Sequence, residues 1–178
     1  MDDLRYPIGR FEHDGPISDA DLSGWIADIE ALPADLRAAV AGLDDAQLDT
    51  PYRPEGWTVR QVVHHVGDSH LNALARFKLA LTEDTPTIKP YKEARWAELA
   101  DHALPVEPGL ALVEALHARW VPILRSLDRN DLARTYVHPE RDRTLTLGWT
   151  VGMYAWHGRH HVAHITALRE REGWNAPS

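Results

Sequence analysis

The sequence predicts an all-α protein, a four-helix bundle folded as a single domain over residues 1–178. Three observations point there: four long stretches with apolar residues at three- and four-residue intervals, a length of 178 residues that suits one domain, and a hydrophobic content of 44 %. Two domains of half this length would each bury too little apolar surface.

The first helix is expected over about Ser18–Leu43. Ser18 can accept from the first-turn amides, with Asp21 placed to answer it, and Pro33 should kink or break the helix because it lacks an N–H. The second is expected over about Thr58–Leu81, where Thr58 and Gln61 form a capping-box pattern and Pro86 lies beyond the end. The third runs over about Pro108–Leu127, with Pro122 as a point of kinking or early termination. The fourth runs over Leu147–Glu172, and Gly173 is a natural terminator. Lys92–Leu99 reads as a short helix. Thr135-Tyr136-Val137 and Thr144-Leu145-Thr146 flank a polar turn and suggest a small hairpin. The long connections allow a helix order other than simple up-down-up-down.

Composition narrows the chemistry. With 27 acidic and 19 basic residues the formal charge is −8, which argues against a nucleic-acid partner. The chain has no cysteine, so disulfides, thiolate ligands and a cysteine nucleophile are excluded. Met1–Gly15 has no apolar signal region, and no run reaches the 18 apolar residues of a membrane span. A cytoplasmic protein with no membrane partner is expected. Gly-rich phosphate loops, a Gly-x-Ser-x-Gly elbow and His-Glu-x-x-His are absent. A di-iron bundle needs two Glu-x-x-His motifs; Glu114 to His117 matches, but the fourth helix offers no glutamate before Glu170.

Histidine is abundant, with eleven in all, four of them between His157 and His164. On a helix, residues four apart are separated by about 40°, so His157/His161 and His160/His164 are both pairs able to reach one ion. Leu147, Val151, Tyr154, Gly158, Val162 and Ile165 mark the core face; His161 borders it, and Met153, His157, His160 and His164 form the neighbouring stripe. The second helix carries His64, His65 and His70. His70 falls on the apolar stripe of Val59, Val62, Val63, Val66, Ala73, Phe77 and Leu81, while His64 points away from it. His65 flanks the stripe, in line with Ser69, Asn72 and Arg76. Spacing leaves the choice between the two pairs open.

Longer words carry a family likeness. Tyr6-Pro7-Ile8-Gly9, Gln47 to Arg53, Gly56-Trp57-Thr58-Val59-Arg60-Gln61-Val62-Val63-His64-His65, Arg76-Phe77-Lys78-Leu79 and the Tyr154-x-Trp156-His157-x-x-His160-His161-x-x-His164-Ile165-Thr166 segment together resemble the YfiT branch of the DinB superfamily. The resemblance implies the DinB-type bundle, usually as a homodimer, and one divalent ion per chain, zinc or nickel. The ligands it implies are His65, His160 and His164. Members are labelled metal-dependent hydrolases, and relatives transfer low-molecular-weight thiols such as bacillithiol.

Three neutral imidazoles leave an ion with its full charge and an open position, the layout of a catalytic site. On sequence alone, transfer of a small thiol onto a small electrophilic substrate is preferred, with Arg76 as a substrate-carboxylate ligand. The alternative is hydrolysis by an acidified water, for which Asp68 is the nearest carboxylate, although helical phase sets it off the His65 line. A non-enzymatic metal or small-ligand binder is the third reading.

Overall fold

The structure, a computed structural model, describes residues 2–174. In chain order it comprises α1 (Asp2–Arg5), α2 (Asp19–Val40), α3 (Asp45–Leu48), α4 (Val59–Thr82), α5 (Glu93–Trp96), a 3-10 turn (Ala100–Ala103), α6 (Val106–Ser126), α7 (Arg129–Ala133), β1 (Thr135–His138), a 3-10 turn (Pro139–Arg141), β2 (Arg143–Thr146) and α8 (Leu147–Glu172). The four long helices are α2, α4, α6 and α8. Ser18 and Asp21 form the expected capping box on α2, as do Thr58 and Gln61 on α4, and α8 ends at Gly173 with a left-handed φ of 69°. The expected hairpin is present, with β1 and β2 antiparallel and Tyr136 opposite Leu145.

The helix order is not up-down-up-down. α2 and α8 run parallel: Asp28 pairs with Arg159, and Arg169 donates to the Ala39 carbonyl at 2.8 Å. Gly158 permits their close approach, since a Cβ there would lie 2.6 Å from Leu32 Cδ2. α4 and α6 are also parallel: His64 abuts Gly109, His70 meets His117, and Phe77 meets Trp120. The two pairs pack antiparallel. Arg37 bonds Glu114 and Arg125 bonds Glu30 between α2 and α6, while His65 faces His157 and Arg76 faces Tyr154 between α4 and α8. α2 and α4, consecutive among the long helices, therefore lie diagonally across the bundle, as do α6 and α8.

Pro33 does not break α2, which continues to Val40. A proline removes the amide that would bond the carbonyl four residues earlier. That carbonyl, Ile29 O, instead accepts from His117 Nδ1 of α6 at 2.6 Å. α6 likewise continues through Pro122 to Ser126.

The core has two apolar clusters. One gathers Ile29, Phe77, Trp120, Tyr136, Leu147, Val151 and Tyr154; the other gathers Leu32, Leu36, Val59, Val62, Val63, Val66, Val113 and Ile165. Along α4 and α8, residues 69–70 and 157–164 fall between the two sets, and with His65 and His117 at its borders the histidines there form a polar belt across the bundle.

Candidate metal centre

α4 and α8 build the site where they cross. His65 Nε2 lies 3.4 Å from His157 Nε2, and the His161 ring centroid is 4.8 Å from that of His65 and 4.5 Å from that of His157. One ligand atom from each of these three residues lies within 4.8 Å of the others, the one such trio of histidine, aspartate or glutamate among the described residues. Nitrogens each about 2.0–2.1 Å from a tetrahedral ion are roughly 3.3 Å apart. The His65–His157 pair already meets that spacing, and a His161 nitrogen lies within 4.8 Å of both. The donor set fits one divalent cation.

The electrostatics suit such an ion. Burial pushes His65 down to about 3, with smaller contributions from His102 and His164. Burial also holds His157 and His161 well below the ordinary imidazole value. All three therefore stand neutral near pH 7, the ligating form. Trp57 lies against His65 at 4.5 Å between ring centroids and further restricts water.

His160 and His164 are not part of this trio. The His160 ring stacks on Trp156 at 4.4 Å and on Tyr6 at 5.7 Å. His164 stacks on Tyr52 at 3.9 Å, and its Nε2 donates to the Arg5 carbonyl at 3.0 Å. The structure thus brings His65 together with His157 and His161 rather than with the two histidines expected beside it. The physical reason is helix rotation. His157 and His160 differ by three residues, about 60° around α8, and packing against α4 turns the first pair inward. The N-terminal segment covers the second pair, with Trp156 Nε1 donating to the Gly9 carbonyl at 3.1 Å.

The trio opens on a pocket of about 450 Å³ whose lining includes Arg76, Tyr91, Glu93, His138, Glu140 and Tyr154. Arg76 is 8 % exposed, donates from Nη1 to the Tyr154 hydroxyl at 3.2 Å, and has no hydrogen-bond partner at Nε. Asp68, the carboxylate nearest in sequence, is turned away and accepts from or pairs with His102 Nε2 at 2.9 Å. His64, on the side of α4 away from the apolar stripe, is nevertheless buried, and its Nε2 bonds the Leu104 carbonyl at 3.2 Å. A larger hollow of about 680 Å³ lies beside Arg60 and His102. There Arg60 is already satisfied by Asp45 and Asp49.

Sequence reasoning missed Tyr91, Glu93, His138 and Glu140, which reach the pocket from the α4–α6 connection and the hairpin. No periodic signal marks such residues. His117 was visible only as the end of the single Glu-x-x-His match, Glu114 to His117, on α6.

Comparison with known proteins agrees with this architecture. The sequence profile described as the DinB superfamily matches residues 28–165. A Bacillus cereus (strain 03BB102) protein named "putative metal-dependent hydrolase" is 59 % identical over 174 residues, covering 98 % of this chain and 100 % of that one. A Bacillus thuringiensis subsp. konkukian protein with the same designation matches to the same extent. Among solved structures, YfiT from Bacillus subtilis, described as a probable metal-dependent hydrolase with an unusual four-helix bundle topology, superposes with a TM-score of 0.94 at 48 % identity, covering 97 % of this chain and 99 % of that one. TT2238, a four-helix bundle protein, follows at a TM-score of 0.54 and 26 % identity, covering 84 % of this chain and 98 % of that one. With the profile spanning most of the chain and the diagonal helix order shared with YfiT, the protein belongs to the DinB superfamily, in its YfiT branch.

Proposed function

We propose that the protein is a metal-dependent hydrolase of small anionic molecules, with one divalent ion, zinc or nickel, held by His65, His157 and His161. The observation that carries the reading is the convergence of three neutral imidazoles, His65 and His161 buried and His157 partly so, in the lining of a pocket that also presents Arg76. The names of the Bacillus relatives support it. When bound, such an ion supplies Lewis acidity, lowering the pKa of a water or thiol beside it.

The chain's own residues do the rest. Arg76 lies in the pocket wall with Nε unbonded, and it receives a substrate carboxylate or other anionic group in a charge-assisted bond. Tyr154 holds the guanidinium in place. Trp57 and Met153 give the pocket apolar wall. Glu93 and Glu140 stand at its rim, where either can accept a proton. Both are exposed, and this one feature favours the second reading, S-transfer from a low-molecular-weight thiol, because a thiol acidified in place needs no carboxylate held against it.

Turnover of a panel of carboxylate-bearing esters, amides and electrophiles by the zinc- or nickel-loaded protein separates the readings. Hydrolysis in water alone is the expected result. Product formed only when bacillithiol or glutathione is added establishes S-transfer instead, and metal binding with no turnover of either kind leaves a binder. Arg76→Met should raise KM for an anionic substrate by about 10–100-fold, from loss of one charged hydrogen bond of about 1.5–3 kcal/mol. A neutral analogue should be unaffected.

A further inference from the structure

Beyond the three ligands, the belt contains two hydrogen-bonded runs of imidazoles. In the first, His157 Nδ1 lies 3.3 Å from His70 Nε2, His70 Nδ1 lies 2.9 Å from His117 Nε2, and His117 Nδ1 lies 2.6 Å from Ile29 O. In the second, His161 Nδ1 lies 3.3 Å from His164 Nδ1, and His164 Nε2 lies 3.0 Å from Arg5 O. A carbonyl only accepts, so each run has a fixed direction. His117 must carry its hydrogen on Nδ1. A neutral imidazole has one N–H and one acceptor, so His117 Nε2 accepts from His70 Nδ1, and His70 Nε2 accepts from His157 Nδ1. In the second run, His164 carries its hydrogen on Nε2 and accepts from His161 at Nδ1.

We infer that His70, His117 and His164 are positioning residues that lock His157 and His161 as Nδ1–H tautomers, leaving the Nε2 lone pair of each directed at the ion. The inference rests on the ligand set proposed above. Proton counting supports it: three rings in the first run share three hydrogens among three bonds, and the one position left over is His157 Nε2, the atom facing His65. The anchor of that run is written in the sequence. Pro33 withdraws the amide that would otherwise occupy Ile29 O within α2, and His117 takes its place. His70 and His117 are 0 % and 2 % exposed, so water does not compete for these bonds. Outer partners of this kind set ligand orientation and tautomer, and their loss typically weakens metal binding 10–100-fold.

The test combines two readouts. The first is ¹⁵N NMR of the histidine rings in the metal-free protein, which reports tautomers without involving the ion. The second is zinc affinity by competition with a chromophoric chelator. Wild type should show His157 and His161 protonated at Nδ1. His117→Phe should mix the His157 tautomers and weaken zinc by about 10–100-fold. His117→Gln, whose amide can both donate to Ile29 O and accept from His70, should restore most of the affinity. Pro33→Ala gives Ile29 O a helical donor without opening a cavity, and should shift both readouts in the same direction as His117→Phe, by less; it keeps the question decidable should the phenylalanine variant fail to fold. A wild-type His157 protonated at Nε2 instead would overturn the inference. Unchanged zinc affinity in His157→Ala would overturn the ligand set, and the metal-free tautomers would then still show whether the runs have the assigned direction.

Discussion

His157→Ala should lose tight metal binding while His160→Ala retains it. His157 supplies one of three nitrogens converging between α4 and α8, and its Nε2 stands 3.4 Å from that of His65. A structural zinc held by four side chains gains about 10–16 kcal/mol, or roughly 2.5–4 kcal/mol per ligand, so removal of one ligand corresponds to a loss of about 50- to 1,000-fold in affinity. His161→Ala should behave in the same way. His160, in contrast, stacks between Trp156 and Tyr6; its removal loosens the N-terminal segment and leaves the trio in place, so zinc affinity should stay within a few-fold of wild type. Titration against a chelator of known affinity measures both. The opposite pattern would return the ligand role to His160 and His164, as the family likeness had implied from sequence.

Trp120→Ala should cause the largest loss of stability. The side chain is wholly buried, and its ring meets Phe77 at 5.3 Å, Tyr154 at 5.5 Å, His70 at 5.6 Å and His117 at 5.8 Å between centroids, in each case edge to face or nearly so. Its indole nitrogen has no hydrogen-bond partner, so the residue contributes by filling space. Truncation of a buried tryptophan costs about 3–5 kcal/mol, a fall in Tm of roughly 6–20 °C for a domain of this size. Urea unfolding of the metal-free protein measures it. Leu99→Ala, at a leucine 56 % exposed, should change stability by less than about 0.5 kcal/mol. Because Trp120 walls the His70–His117 contact, its loss should also weaken metal binding.

Much of the fold was legible because its signals are local. Ser18 with Asp21, Thr58 with Gln61, and Gly173 mark helix ends by hydrogen bonds within one turn, and these ends agree with the structure within a few residues. The hairpin showed as two β-favouring triplets around a polar turn. Of the kink or break expected at Pro33, no break occurs, and a histidine 84 positions away supplies a donor to Ile29 O in place of the missing amide. The site was half legible. His65 lay on a polar flank, and two i, i+4 pairs stood out on α8. The choice between them depended on how α8 is rotated against α4, a property of packing rather than of either helix's spacing. The burial of His64 was hidden for a related reason, because α6 approaches so closely at Gly109 that even the side of α4 away from its apolar stripe is covered.

The location of the ion itself is the most direct test. In crystals of zinc-loaded protein, anomalous scattering at the zinc edge should place one peak about 2 Å from a nitrogen of each of His65, His157 and His161. A peak bonded to His160 and His164, with His157 left at His70, would contradict the account.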